Sequence, residues 1–234
     1  HTYSSGEEGS LQTSQAFLRA DIGIPIDDGN NRVTPVRAGR GDKPVAGAGI
    51  GQSVVMFPLV AAGKAVGAVI DSGDDYTERL FAGFTNAWIH GLTCVFLFLL
   101  CRELGARQRD ALLLAVVYGV ATMAFVHAKT MFSEPLSEIG LTGACYLAFR
   151  GARTGRLRDP AFAGALITAC MFARLSVAPF AVLIVLYLLV VGFRRRGARG
   201  APTLAAAFAA STAAGFALIG AVNAYRFGSG TDSG

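Results

Sequence analysis

Three stretches of this chain carry side chains able to do chemistry. The first is His127-Ala128-Lys129-Thr130-Met131-Phe132-Ser133-Glu134-Pro135-Leu136, which sets an imidazole, an ammonium and a carboxylate between two long apolar segments. Ionisable groups at membrane depth are costly, so such a cluster points to function by default. Lys129 suits an anionic phosphate, with Glu134 orienting it or binding an acceptor. The ordinary alternative is a snorkelling lysine at a helix end and an acid at a helix N-terminus. His127 reads as a polar tip at the interface that is also able to donate to phosphate.

The second stretch is Glu7-Glu8. Adjacent carboxylates diverge on most backbones, so one of them suffices as a general base that takes a proton from an attacking hydroxyl. The alternative is a solvated loop acid just ahead of a short helix. The third is a pair of cations, Arg174 between apolar stretches and Arg226 flanked by Tyr225 and Phe227. Arg174 needs a partner, either a protein carboxylate or a lipid phosphate. Phosphate is preferred because guanidinium grips it through a planar fork. Gly47-Ala48-Gly49-Ile50-Gly51 lacks the Lys-Ser/Thr ending of a phosphate-cradling loop. The chain also has no HExxH, no GxSxG and no metal-ligand cluster.

The elements that must position these residues follow from composition. Hydrophobic residues make up 53% of the chain and charged ones 16%, with mean hydropathy +0.47. The apolar residues fall in blocks that approach or reach the roughly 17–25 residues a helix needs to cross a bilayer. The expected class is an all-α polytopic membrane protein in the plasma membrane, with membrane lipid as a partner. The net charge of +5 does not indicate nucleic acid. Its arginines cluster at 102–109, 150–158 and 194–199, between apolar blocks, as in cytoplasmic loops that also attract anionic headgroups. Cys94, Cys101, Cys145 and Cys170 lie within apolar blocks with no metal or disulfide spacing, and read as small buried side chains.

Residues 1–79 form a large structured outer loop. Within it, 10–20 predicts a short helix resting on Leu11, Phe17 and Leu18, Asp27 to Asn31 a turn, and Val33 to Val36 one hairpin arm. Ile50 to Ile70 carries Gln52, Pro58 and Lys64, which suit an interfacial or partly buried helix better than a lipid-facing span. Residues 80–228 form the bundle, with spans at about 81–101, 111–127, 133–149, 161–173, 177–193 and 203–223. Ser133 is placed to cap the third span, and Pro135 fits its first turn. The apolar block 161–193 would be about 50 Å long as one helix, so it turns near Arg174-Leu175-Ser176. That turn keeps all three basic clusters on one side. Loop 1–79, turn 128–133, the turn at 174–176 and the tail 229–234 then share the other. Small residues at 205–214 favour close helix packing. The start at His1 and the polar end read as a fragment, missing a first membrane helix and whatever follows residue 234.

Taken in order, several motifs resemble the GT-C superfamily of membrane glycosyltransferases, specifically bacterial relatives of the protein O-mannosyltransferase and aminoarabinose-transferase branch. They are Ser5-Gly6-Glu7-Glu8-Gly9, then Gly49-Ile50-Gly51-Gln52-Ser53 with Phe57-Pro58-Leu59, Ala128 through Leu136, Phe172-Ala173-Arg174, and Asn223 with Arg226-Phe227-Gly228. The resemblance implies a GT-C-like helix bundle with a structured first outer loop. It implies transfer of a sugar from a polyprenyl-phosphate donor to an acceptor on the outer face, with inversion and no separate cofactor. Glu7 matches the family acid that serves as base, with Glu8 beside it. Lys129, Arg174 and Arg226 would hold the donor phosphate, with Glu134 and His127 completing the substrate contacts. Glu7 stands where relatives have Asp, His127 where they have Tyr, and Lys129 where they often have Arg. A membrane transporter or lipid flippase is the alternative from another class, and a non-catalytic GT-C-like protein is a third.

Overall fold

The computed structural model describes residues 5–21, 36–39, 44–46, 49–70 and 75–230. The expected turn at Asp27 to Asn31, residues 33–35 of the hairpin arm and the tail from residue 231 lie outside the described residues. Among the described residues the fold is all-α apart from one small hairpin. Its elements are α1 (Ser5–Phe17), β1 (Val36–Ala38), β2 (Pro44–Ala46), α2 (Gly51–Val69), α3 (Tyr76–Glu103), α4 (Gln108–Ala121), α5 (Met123–His127), α6 (Glu134–Thr154), α7 (Arg158–Ala173) and α8 (Ala178–Phe227). β1 and β2 pair antiparallel with Val36 opposite Ala46.

Four helical segments are long and apolar enough to cross a membrane: Gly51–Val69, Tyr76–Glu103, Leu175–Gly197 and Arg199–Phe227. The last two are the limbs of α8, the first counted together with the 3₁₀ turn that leads into it, and they hinge where Gly197 adopts φ 72°. That left-handed conformation suits a residue without Cβ. Pro202 sits in the first turn of the second limb, where a missing N–H costs little. The basic stretch at 194–202 is therefore a helix break, not the extended loop its composition suggests.

Chain punctuation sets the remaining boundaries. α3 stops at Gly105, φ 92°. Pro135 opens α6, and Gly155 closes it in the left-handed region with its N–H on the Gly151 carbonyl at 2.8 Å. Ser133 does not cap α6: its backbone is already helical and its side chain makes no cap bond. The expected span 111–127 is interrupted, because Thr122 is extended and its hydroxyl accepts from the Ala124 N–H to start α5. α7 ends at Arg174, which is also extended, and a single 3₁₀ turn, Leu175–Val177, leads into α8.

The bundle is apolar outside and partly polar inside. Trp88 is 69% exposed and Leu113 63%, while Asn86 and Thr93 are essentially sealed. In water each such outward side chain would forgo about 1.5–3 kcal/mol of burial. In a bilayer it meets chains as apolar as itself. The main core joins α6, α7 and α8 through Ala144, Ala148, Ala152, Ile167, Leu188 and Phe208. Small residues on α6 and α7 let these helices approach closely. α7 also meets the small-residue face of α8, where Gly164 lies against the Phe208 carbonyl.

A second core of Leu11, Met56, Val60, Ala82 and Met131, with Leu18 against it, ties α1 to α2 and α3. α2 runs antiparallel to the first part of α3 only, with Gln52 beside Asn86 and Gly67 beside Thr77. It therefore lies at one end of α3 and not along its length.

Gly51 opens α2 against the end of α7, where a Cβ would stand 2.6 Å from the Ala173 nitrogen and 2.8 Å from the Phe172 carbonyl carbon. Backbone on a packed helix end cannot yield cheaply, so Gly51→Ala is expected to cost about 1–3 kcal/mol. Thermal unfolding in detergent measures it, and an unchanged midpoint would contradict the packing.

Candidate functional site

The end of the bundle away from the arginine clusters holds a cavity of about 660 Å³. Its polar wall comes from four places in the chain: Ser10 on α1, Gln52 on α2, Ser133 and Glu134 at the start of α6, and Arg174 after α7. Asn223 and Arg226 at the end of α8 complete it. Met131, Phe132 and Phe216 supply apolar surface.

The turn before α6 is held by two side chains, Asn86 of α3 and Glu7 of α1. The Asn86 amide donates to the carbonyls of Thr130 and Phe132, both at 2.7 Å. Its oxygen accepts from Gln52 Nε2 at 2.9 Å. The N–H of Met131 donates to Glu7 Oε1 at 2.9 Å. The loop's backbone is thus bound by side chains, which a connection buried among membrane helices requires. Behind it, the Ser14 hydroxyl donates to the Ser53 carbonyl and Gln15 donates to Glu78, holding α1 on α2 and α3.

The expected site residues divide under this geometry. Glu7 and Glu8 are not loop acids but first-turn residues of α1, favoured there by the helix dipole. They point apart, as adjacent acids should. Glu7 is buried against the turn, one helical turn before Ser10 of the cavity wall. Glu8 takes a two-pronged grip from Arg79, whose Nη1 and Nη2 donate at 2.8 and 2.9 Å while its Nε reaches Asp75. Both Glu8 oxygens are committed to Arg79, and neither Glu7 nor Glu8 is among the residues that line the cavity.

Arg174 has a protein carboxylate beside it: its Nη1 lies 2.9 Å from Glu134 Oε1. The guanidinium remains 46% exposed, and Glu134 Oε2 is buried with no hydrogen-bond partner among the described residues. Arg226 lines the same cavity, is 3% exposed and lies 4.7 Å from the Phe227 ring centre. Lys129 is not brought there. It is exposed, with its ammonium 4.1 Å over the ring of Phe125. His127 also stays off the cavity lining and packs edge-on to Phe132, its backbone carbonyl accepting from the Thr130 hydroxyl. Gly49 and Gly51 serve close approach to the 172–173 backbone, a structural reason for the glycine-rich pattern.

Sequence reasoning passed over Asn86 and Arg79. A lone amide inside the 81–101 apolar block was the available signal for Asn86, since polar groups at membrane depth need partners. Asp75, four positions earlier, is the local partner of Arg79, but its link to Glu8, 71 positions away, leaves no local mark. Glu138, within the bundle, was also missed; it accepts from the Tyr118 hydroxyl at 2.6 Å. Among the described residues, no group of three or more His, Cys, Asp or Glu is placed to hold a metal ion.

Four helices of this length and hydropathy suggest a multi-pass membrane protein, and this is the class that the fold defines. Compared with known proteins, the chain matches no family model, no curated protein and no solved structure.

Asn86→Leu would strip partners from two backbone carbonyls and from Gln52. A loss of about 3 kcal/mol or more is expected, at roughly 1–3 kcal/mol per stranded buried group. Unfolding in mixed micelles measures this, and a loss under about 1 kcal/mol would show that the turn is held elsewhere.

Proposed function

We propose that this protein is a GT-C-type glycosyltransferase that moves a sugar from a polyprenyl-phosphate donor to an acceptor on the outer face of the membrane. The observation that carries the reading is the cavity, in which an acid-bearing helix, the turn before α6, Arg174 and the end of α8 converge. It lies at the end opposite the arginine clusters, the outer side by the positive-inside rule. The motif order described above supports the same reading.

In this scheme Glu7 takes the proton of the acceptor hydroxyl as its oxygen attacks the anomeric carbon. The bond from that carbon to the phosphate oxygen breaks, and the lipid phosphate leaves with the electron pair. Arg174, with Arg226 on the same wall, offsets the charge developing on the phosphate. The pair with Glu134 holds the Arg174 fork in the cavity before the donor arrives. Glu8 and Arg79 hold α1 in place and do not touch the reacting atoms. Lys129 faces the surrounding headgroups, and His127 packs behind the turn.

A carrier is the second reading, favoured by the interruptions at Thr122 and Arg174, since transport sites form at discontinuous helices.

The test is a transfer assay on the full-length protein with a polyprenyl-phosphate sugar. Gln at position 7 still accepts from the Met131 N–H but cannot take a proton. Glu7→Gln should therefore lose on the order of 100-fold or more in turnover, the usual contribution of a general base. Arg174→Ala should chiefly raise the KM for the donor. Full turnover in Glu7→Gln and Glu8→Gln would remove the base assignment. Uptake into sealed vesicles without sugar transfer would select the carrier.

A further inference from the structure

The opposite end of the bundle carries eleven arginines on the connections at 102–109, 150–158 and 194–199, against only Glu103, Asp110 and Asp159. Internal pairing cannot neutralise it. The structure draws these connections together: Arg153 at the end of α6 pairs with Glu103 at the end of α3. Arg196 Nη2, at the α8 break, donates to the Arg153 carbonyl at 2.8 Å and caps the last carbonyls of α6. Arg150 and Arg158 share Asp159, at 3.6 and 3.8 Å. Glu103 and Asp159 are thus engaged, yet among the described residues Arg107, Arg109, Arg156, Arg194, Arg195 and Arg199 form no ion pair. Each of these six is exposed.

Large apolar side chains stand exposed among them: Leu104 at 65%, Leu157 at 51% and Phe193 at 60%. A polyanion in water would leave these apolar groups without a partner. A lipid offers phosphate and acyl chain together. Depth agrees, because the 23-residue limb Leu175–Gly197 is about 34 Å long and spans a core of about 30 Å. Its last residues then fall at headgroup level.

We infer that this end is a binding surface for anionic phospholipid, with Arg156, Arg194, Arg195 and Arg199 taking lipid phosphates while Leu157 and Phe193 enter the acyl region. The surface is separate from the cavity at the other end and does not depend on the chemistry proposed there. Because Arg153 and Arg196 are already bound to protein groups, they build the surface and leave its ligands to the unpaired arginines.

The test uses the full chain reconstituted with phosphatidylcholine, with and without phosphatidylglycerol, and then extracted in mild detergent. Phosphatidylglycerol should be retained preferentially and should raise the unfolding temperature, and added salt should reverse both effects. At about fivefold per arginine, changing Arg194, Arg195 and Arg199 together to Gln should weaken retention on the order of 100-fold. If that variant does not fold, the salt and lipid dependence of the unaltered protein still decides. Equal retention of the two lipids, retention unaffected by the three changes in a folded variant, or equal stabilisation by inorganic phosphate would overturn the inference.

Discussion

The side-chain amide of Asn86 is the constraint on which the rest of this end of the molecule depends. It is completely buried, and its donors and acceptor are all in use, two on the turn at 130–132 and one on Gln52. In a low-dielectric surrounding such bonds strengthen, and leaving any of them unmade is costly. α3 can thus hold α2 and the turn only in one relative arrangement. Glu7 then locks α1 to the same turn through Met131, and the cavity wall follows from these contacts.

The molecule divides its charge between two ends for different physical reasons. At the arginine-rich end, a few pairs and caps join the helix termini, and the surplus cations are left outward. At the cavity end, Glu134 and Arg174 form a half-exposed pair, and Glu8 and Arg79 form a more sheltered one. Exposed pairs contribute little to stability, commonly below about 1 kcal/mol. The Glu134–Arg174 contact is therefore better understood as placing a guanidinium than as holding the fold together.

Much of this was legible in the sequence because it rests on spacing and solvent preference. Basic clusters between apolar blocks imply one shared side, and the structure gathers Glu103, Arg153 and Arg196 there. A block too long for one crossing implies the turn at Arg174, and Pro135 marks the start of α6. What escaped was specific pairing between distant residues. Where Lys129 ends up depends on its contact with the ring of Phe125 on α5, beyond the break at Thr122. Whether Arg174 meets carboxylate or lipid depends on α6 lying beside the end of α7. The α8 break looked like a loop because its glycines and arginines suit either a loop or a hinge; only packing against α6 selects the hinge.

The account stands on α1 and the turn before α6 meeting at one end of the bundle. The most direct measurement replaces the four native cysteines, introduces Glu7→Cys with Met131→Cys, and applies a short bis-maleimide to membranes holding the full-length protein. Rapid formation of the 7–131 cross-link, with single cysteines at the exposed neighbours Arg19 and Lys129 both reached by an impermeant reagent from the outer side, is the predicted result. No cross-link, together with labelling of positions 19 and 129 from opposite sides, would contradict it.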